Sequence, residues 1–128
     1  MKKSISSEKA PKAIGPYSMA IQAGPFIFSS GQLGIDPLSG GFVEGGVEAE
    51  TRQALINLQN VLAAADLSLD DVVKTTVFMQ DLNDFGAINT VYGEFFTNNP
   101  PARSAVQVAA LPKGGTVEIE AIAVKSDD

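Results

Sequence analysis

The chain runs to 128 residues, one domain on the usual prior of roughly 100–200 residues each, and at 45% apolar and 19% charged it is too apolar to be disordered. Fifteen acidic against nine basic side chains give a net −6, which argues against a general nucleic-acid binder or a protein docked on anionic lipid, since both need a basic face. With neither Cys nor His there is no disulfide framework, thiolate nucleophile, zinc–thiolate site, imidazole-held metal or Ser-His-Asp pair, so any chemistry falls to Arg, Lys, Asp, Glu, Tyr, Ser, Thr, Asn or the backbone.

The first dozen residues, 1–12, are polar and read as an N-terminal arm of a single domain over 1–128. Met1-Lys2-Lys3 is a charged start, but Ser4 to Glu8 is no apolar signal core, and no apolar run approaches the ~20 residues of a membrane span. The absence of Cys fits a reducing compartment, and a cytoplasmic protein is expected. Tyr17 to Ala23 and Phe26 to Ser30, split by Gly24-Pro25, read as a hairpin. The glycine-rich stretch from Gly31 to Gly46 reads mostly as loop. From Val47 to Ala65 apolar residues recur at three and four, which predicts a helix, and Glu48 and Glu50 suit the positive end of its dipole.

Ser68 is placed to cap a short turn before a Val-, Thr- and Phe-rich strand, Val72 to Gln80. Asn83 is placed to cap a second helix running to about Asn98, with Phe85, Ile88, Val91, Tyr92, Phe95 and Phe96 on one stripe, ended by Pro100-Pro101. Arg103 to Val108 and Thr116 to Val124 read as the last two strands. The order β-β-α-β-α-β-β is α+β: a mixed sheet with two helices on one face. The strands carry small or apolar residues on both faces, among them Ala20, Phe28, Ala121, Ile122, Ala123 and Val124, which favours burial of the uncovered face against another copy.

Two strands carry charges that a plain core would avoid. Alternation groups Arg103 with Ala105 and Gln107, and Glu118 with Glu120 and Ile122. Arg103 and Glu118 can be a structural ion pair, or the glutamates can line a wet face of the sheet. Alternatively, a guanidinium fixed on a rigid strand can hold a carboxylate through two parallel hydrogen bonds while a nearby glutamate orients or deprotonates water. Tyr17, Ser30, Gly31 and Asn89 read alone as half-buried packing, an ordinary turn and a solvated helix position; the Tyr17 hydroxyl and the backbone N–H groups at Ser29-Ser30-Gly31 can also donate to a ligand. Lys74 would form a Schiff base only if buried, and no neighbour supports that.

Pro101-Ala102-Arg103-Ser104, followed by Val106, Leu111-Pro112-Lys113 and Val117-Glu118-Ile119-Glu120, resembles the RidA (reactive intermediate deaminase) family, also called the YjgF family. Further blocks match in order: Lys9-Ala10-Pro11, Ala13 to Tyr17, Ser29-Ser30-Gly31-Gln32, Val73 to Phe78 with Asp81-Leu82, Asn89, and Phe95-Phe96. The resemblance spans residues 8 to 124. It implies a chorismate-mutase-like fold assembled as a homotrimer around a central barrel, with ligand clefts between subunits. It also implies an enamine/imine deaminase that hydrolyses 2-aminoacrylate and related products of pyridoxal-phosphate enzymes to 2-oxo acids and ammonia, with no cofactor.

On that resemblance Arg103 would clamp the substrate carboxylate, Glu118 would hold the attacking water, and Tyr17, Ser30, Gly31 and Asn89 would line the cleft. Many members carry a cysteine where this chain has Ala105, so thiol-based control would be absent. The competing readings are a non-catalytic 2-oxo-acid sensor, a ribonuclease or translation inhibitor, and chorismate mutase itself. The −6 charge and missing His weigh against the second. One clamp arginine is thin for the dianionic substrate of the third.

Overall fold

A computed structural model describes residues 1–126; residues 127 and 128, at the end of the expected domain, lie outside it. The elements run β1 (Lys2–Ile5), β2 (Ala20–Ala23), β3 (Phe26–Ser29), β4 (Gln32–Leu33), α1 (Gly46–Ala63), β5 (Val72–Met79), α2 (Phe85–Phe95), β6 (Ala102–Gln107) and β7 (Val117–Val124). They form one seven-stranded sheet in the order β1-β2-β3-β7-β5-β6, with β4 also paired to β7. Every pairing is antiparallel except β5 with β6, whose parallel register is reached through α2. Both helices share one buried cluster with the sheet, and α1 packs on α2, β7 and β4.

The expected order of main elements is present, with two additions. The polar arm needs correction: Lys2–Ile5 pairs with β2 as an edge strand. Only Ile5 of its four residues is buried, so the segment carries no alternation to read. Gln32–Leu33, expected within a loop, adds the second short strand. The cap assigned to Asn83 is also corrected, because the Asp81 side chain accepts from the Asn83 amide and a 3₁₀ turn over Leu82–Asp84 leads into α2. Ser68 does cap its turn, in a reciprocal box with Asp71.

Strand alternation divides the residues between the two faces. Along β7, Val117, Ile119, Ala121 and Ala123 are buried beneath the helices, while Glu118, Glu120, Ile122 and Val124 lie half-buried on the other face. That second face also leaves Phe26, Phe28 and Val106 exposed. α1 places Ala54, Leu55, Leu58, Val61 and Leu62 in the core. Leu58 is fully buried, and Leu58→Ala is expected to cost about 2–5 kcal/mol of unfolding free energy, measured by chemical denaturation. A loss below ~1 kcal/mol would mean that this helix–sheet layer is looser than its burial indicates.

Candidate active site

Two groups of residues stand out, on opposite faces of the sheet. The first surrounds Arg103. β6 is an edge strand, and its Arg103 faces α2. The guanidinium donates from Nη1 to Asn89 Oδ1 at 2.7 Å. Its Cζ lies 4.8 Å from the centre of the Tyr92 ring and 5.2 Å from that of Phe85. Such stacking orients a guanidinium without neutralising it. Tyr92 is itself braced, its hydroxyl 2.7 Å from Thr75 Oγ1 on the neighbouring strand, directly beside Arg103 in the register. Burial pushes the Tyr92 hydroxyl pKa up, against the opposing pulls of Thr75 and Arg103. Arg103 makes no ion pair among the described residues, where Arg52–Glu94 is the ion pair formed.

The second group lines a cleft of about 690 Å³ whose walls include Tyr17, Ser30, Gly31, Leu33, Lys113 and Glu118. A strand irregularity builds it. Phe28 pairs with Ile122 and Gln32 with Ile119, so four steps from β3 to β4 span three on β7. The extra residue forces a bulge at Ser29-Ser30-Gly31. Ser29 Oγ fills the gap in the ladder, accepting from the Ala121 amide at 2.9 Å. Ser30 is held by its hydroxyl on the Ser18 carbonyl at 2.6 Å and its amide on the Met19 carbonyl at 2.8 Å. Gly31 faces the Glu118 side chain: a Cβ there would lie 2.5 Å from Glu118 Oε2. Burial, and then the charge of Glu120 on the same face, raise the Glu118 pKa above the usual carboxylate range.

Gly31→Ala is therefore expected to push the Glu118 carboxylate aside without unfolding the chain. If that carboxylate works in the cleft, kcat/KM should fall tenfold or more, given that misplacement of about 1 Å can cost ~10²-fold. Wild-type kinetics in a folded Gly31→Ala would remove this contact from the site.

The sequence-predicted residues thus separate. Arg103 and Asn89 come together; Tyr17, Ser30, Gly31 and Glu118 come together; within one chain the two sets do not meet. Within one chain Arg103 and Glu118 form no ion pair, because Arg103 lies on the helix-covered face and Glu118 on the other. Asn89 is half-buried and bonded rather than a free helix position. Tyr17 is half-exposed, its hydroxyl accepting a long 3.4 Å bond from the Ile14 amide. Lys74 is bound to Ser104 Oγ at 2.9 Å, which gives it a structural role. Sequence reading takes Ser29 for part of an ordinary turn, and Phe85 and Tyr92 for core alone. Among the described residues no helix is long and apolar enough to cross a membrane.

Comparison with known proteins places the chain in a family. Residues 7–125 match the family model described as Endoribonuclease L-PSP. The chain is 55% identical over 125 residues to the mouse 2-iminobutanoate/2-iminopropanoate deaminase, covering 98% of this chain and 93% of that one. The human protein of the same name is 53% identical, with 94% and 88% covered. A crystal structure from Thermotoga maritima, described as a candidate endoribonuclease, superposes with a TM-score of 0.95 at 49% identity, covering 98% of this chain and 99% of that one. The structure of E. coli TdcF with bound serine gives 0.93 at 46%, covering 97% and 99%. Similarity of this extent, over nearly the full length in sequence and in fold, makes the chain a member of the YjgF/RidA family.

Proposed function

We propose that this protein hydrolyses small 2-imino acids, formed from enamines such as 2-aminoacrylate that pyridoxal-phosphate enzymes release, to 2-oxo acids and ammonia. The observation that carries the reading is a braced guanidinium, Arg103, with no carboxylate of its own. A half-buried cation held on a strand by an amide and two rings is organised for an incoming anion, and a 2-imino acid brings one. Relatives at 53–57% identity that bear the imine deaminase name support the same substrate class.

In the proposed reaction Arg103 pairs with the carboxylate, and Asn89 fixes the guanidinium's angle. Glu118 takes a proton from water as the water oxygen bonds to the imine carbon, opening the C=N double bond. Glu118 passes that proton to the nitrogen, which gives the carbinolamine; it then takes the hydroxyl proton as the C–O bond becomes a carbonyl and delivers it to the nitrogen as the C–N bond breaks, so that ammonia leaves and Glu118 is again a carboxylate. An enamine first gains a proton at its terminal carbon and gives one up from nitrogen to become the imine. The raised Glu118 pKa brings this base nearer to neutrality, where proton transfer is most efficient.

Because one chain holds these groups on opposite faces, the reaction requires two copies, one giving Arg103 and Asn89, the other Glu118 with Tyr17, Ser30 and Gly31. The exposed Phe26, Phe28 and Val106 on the face without helices support a closed homotrimer that buries them. Imine generated in situ by an amino-acid oxidase supplies the test, with ammonia and 2-oxo acid followed against the uncatalysed rate. Accelerated release is expected; release at the uncatalysed rate, with the oligomer intact, would overturn the proposal.

A further inference from the structure

α1 buries three polar residues; Thr51 donates back to the Val47 carbonyl of its own helix, which leaves Glu50 and Asn57, seven positions apart, to bond outside it. Asn57 is fully buried and Glu50 is 9% exposed. Neither bears on solvent, and neither touches the cleft. Both reach the segments that wall it. Asn57 Nδ2 donates to the carbonyls of Leu33 at 3.0 Å and Ile35 at 2.9 Å, while its Oδ1 accepts from Gln53 at 2.9 Å. Glu50 Oε1 accepts from the Thr116 amide at 3.0 Å, two residues before Glu118. Gly34 lies so close to α1 that a Cβ there would sit 2.5 Å from the Glu50 Cα. Leu33 in turn pairs with Glu118 across β4 and β7.

We infer that Asn57 and Glu50 are positioning residues for the deaminase reaction, α1 holding through them both walls that set the Glu118 carboxylate in the cleft. This rests on the hydrolase reading above. A buried amide is a costly way to fill a core position that Leu would fill on transfer energy alone. Here it supplies donors to the carbonyl of Leu33 in β4, a strand with the single partner β7, and to that of Ile35, two residues beyond the strand. The Arg103 clamp shares the helix-covered face with α1, but its hydrogen bond and ring contacts run to Asn89, Tyr92 and Phe85 of α2 and none runs to Asn57 or Glu50. The two halves of the reaction therefore have separate supports, and loss of this one should lower kcat while leaving carboxylate binding, and so KM, near wild type.

The test compares Asn57→Leu and Glu50→Leu with Glu50→Gln, which keeps an acceptor for the Thr116 amide, and with Arg52→Ala, which removes the exposed Arg52–Glu94 pair and tests simple destabilisation. At a temperature where all remain folded, the two Leu variants should lose about 10²-fold in kcat with unchanged stoichiometry of 2-oxo-acid binding. Glu50→Gln should recover most of that loss. Amide exchange should accelerate over residues 30–35 in Asn57→Leu and over 112–116 in Glu50→Leu, and not across the sheet. If Asn57→Leu fails to fold, the Glu50 pair decides. Kinetics that follow global stability as in Arg52→Ala, or a binding stoichiometry that falls with kcat, would overturn the inference. Should the wild type hydrolyse no imine, the hydrolase reading fails on its own, and unchanged local exchange in the variants would still refute the positioning claim.

Discussion

Arg103→Ala is expected to bring imine hydrolysis down to the uncatalysed rate while leaving fold and oligomer intact. Removing one partner of a desolvated carboxylate–guanidinium pair costs about 2–5 kcal/mol, which corresponds to roughly 30- to several-thousand-fold in kcat/KM. The stability cost should be small, because no carboxylate is left orphaned: the guanidinium's partners are one amide and two ring faces. Arg103→Lys keeps the charge, but it loses the planar fork that grips both carboxylate oxygens and stacks on Tyr92. It should therefore recover only part of the activity. Release of ammonia and 2-oxo acid, read beside a sedimentation profile, checks all three points, and an active Arg103→Ala would take this residue out of the site.

Glu118→Gln should separate turnover from binding. The amide matches the carboxylate in shape and keeps the fit against Gly31, but it cannot take a proton from water. A loss of about 10²–10⁴-fold in kcat is expected, with binding of a 2-oxo acid near wild type. The wild-type acid limb should lie above the ordinary carboxylate range, because burial and then Glu120 raise this pKa. Glu120→Gln should move that limb downward. Stability should respond with the opposite sign. The folded chain holds the Glu118 proton at pH values where the unfolded chain has already released it. This group's contribution is therefore fully present below the unfolded pKa and is lost as pH rises through the folded one. Glu118→Gln should then melt higher than wild type at neutral pH, with the gain vanishing in acid. Equal kcat for the two proteins would exclude water activation by Glu118.

Most of the frame was legible in the sequence, because long periodic segments bury one face. The stripe from Val47 to Leu62 foretold α1, and alternation over Val117 to Val124 assigned each residue of β7 to its face. What alternation within a strand leaves open is which face meets the helices. Arg103 and Glu118 were each grouped correctly with their neighbours, yet their separation by the whole sheet emerges only when β6 and β7 are placed on either side of β5. β1 escaped because three of its four residues are exposed. β4 has two residues, too few for any period. Glu50 was readable as a dipole partner, but it faces inward and binds the Thr116 amide. One signal was present and passed over. Glu50 and Asn57 fall at helical spacing from Ala54 and Val61, and polar side chains on a core stripe call for buried partners.

The central claim is that Arg103 of one copy and Glu118 of another make one catalytic site. Mixing two inactive variants, Arg103→Ala and Glu118→Gln, after reversible dissociation tests it most directly. In a cyclic trimer assembled at random from equal amounts, about a quarter of the interfaces would join an intact Arg103 to an intact Glu118. Activity should rise from the background of either parent to about a quarter of the wild-type rate, with wild-type KM. Mixed oligomers confirmed by mass spectrometry that stay as inactive as their parents would contradict the claim.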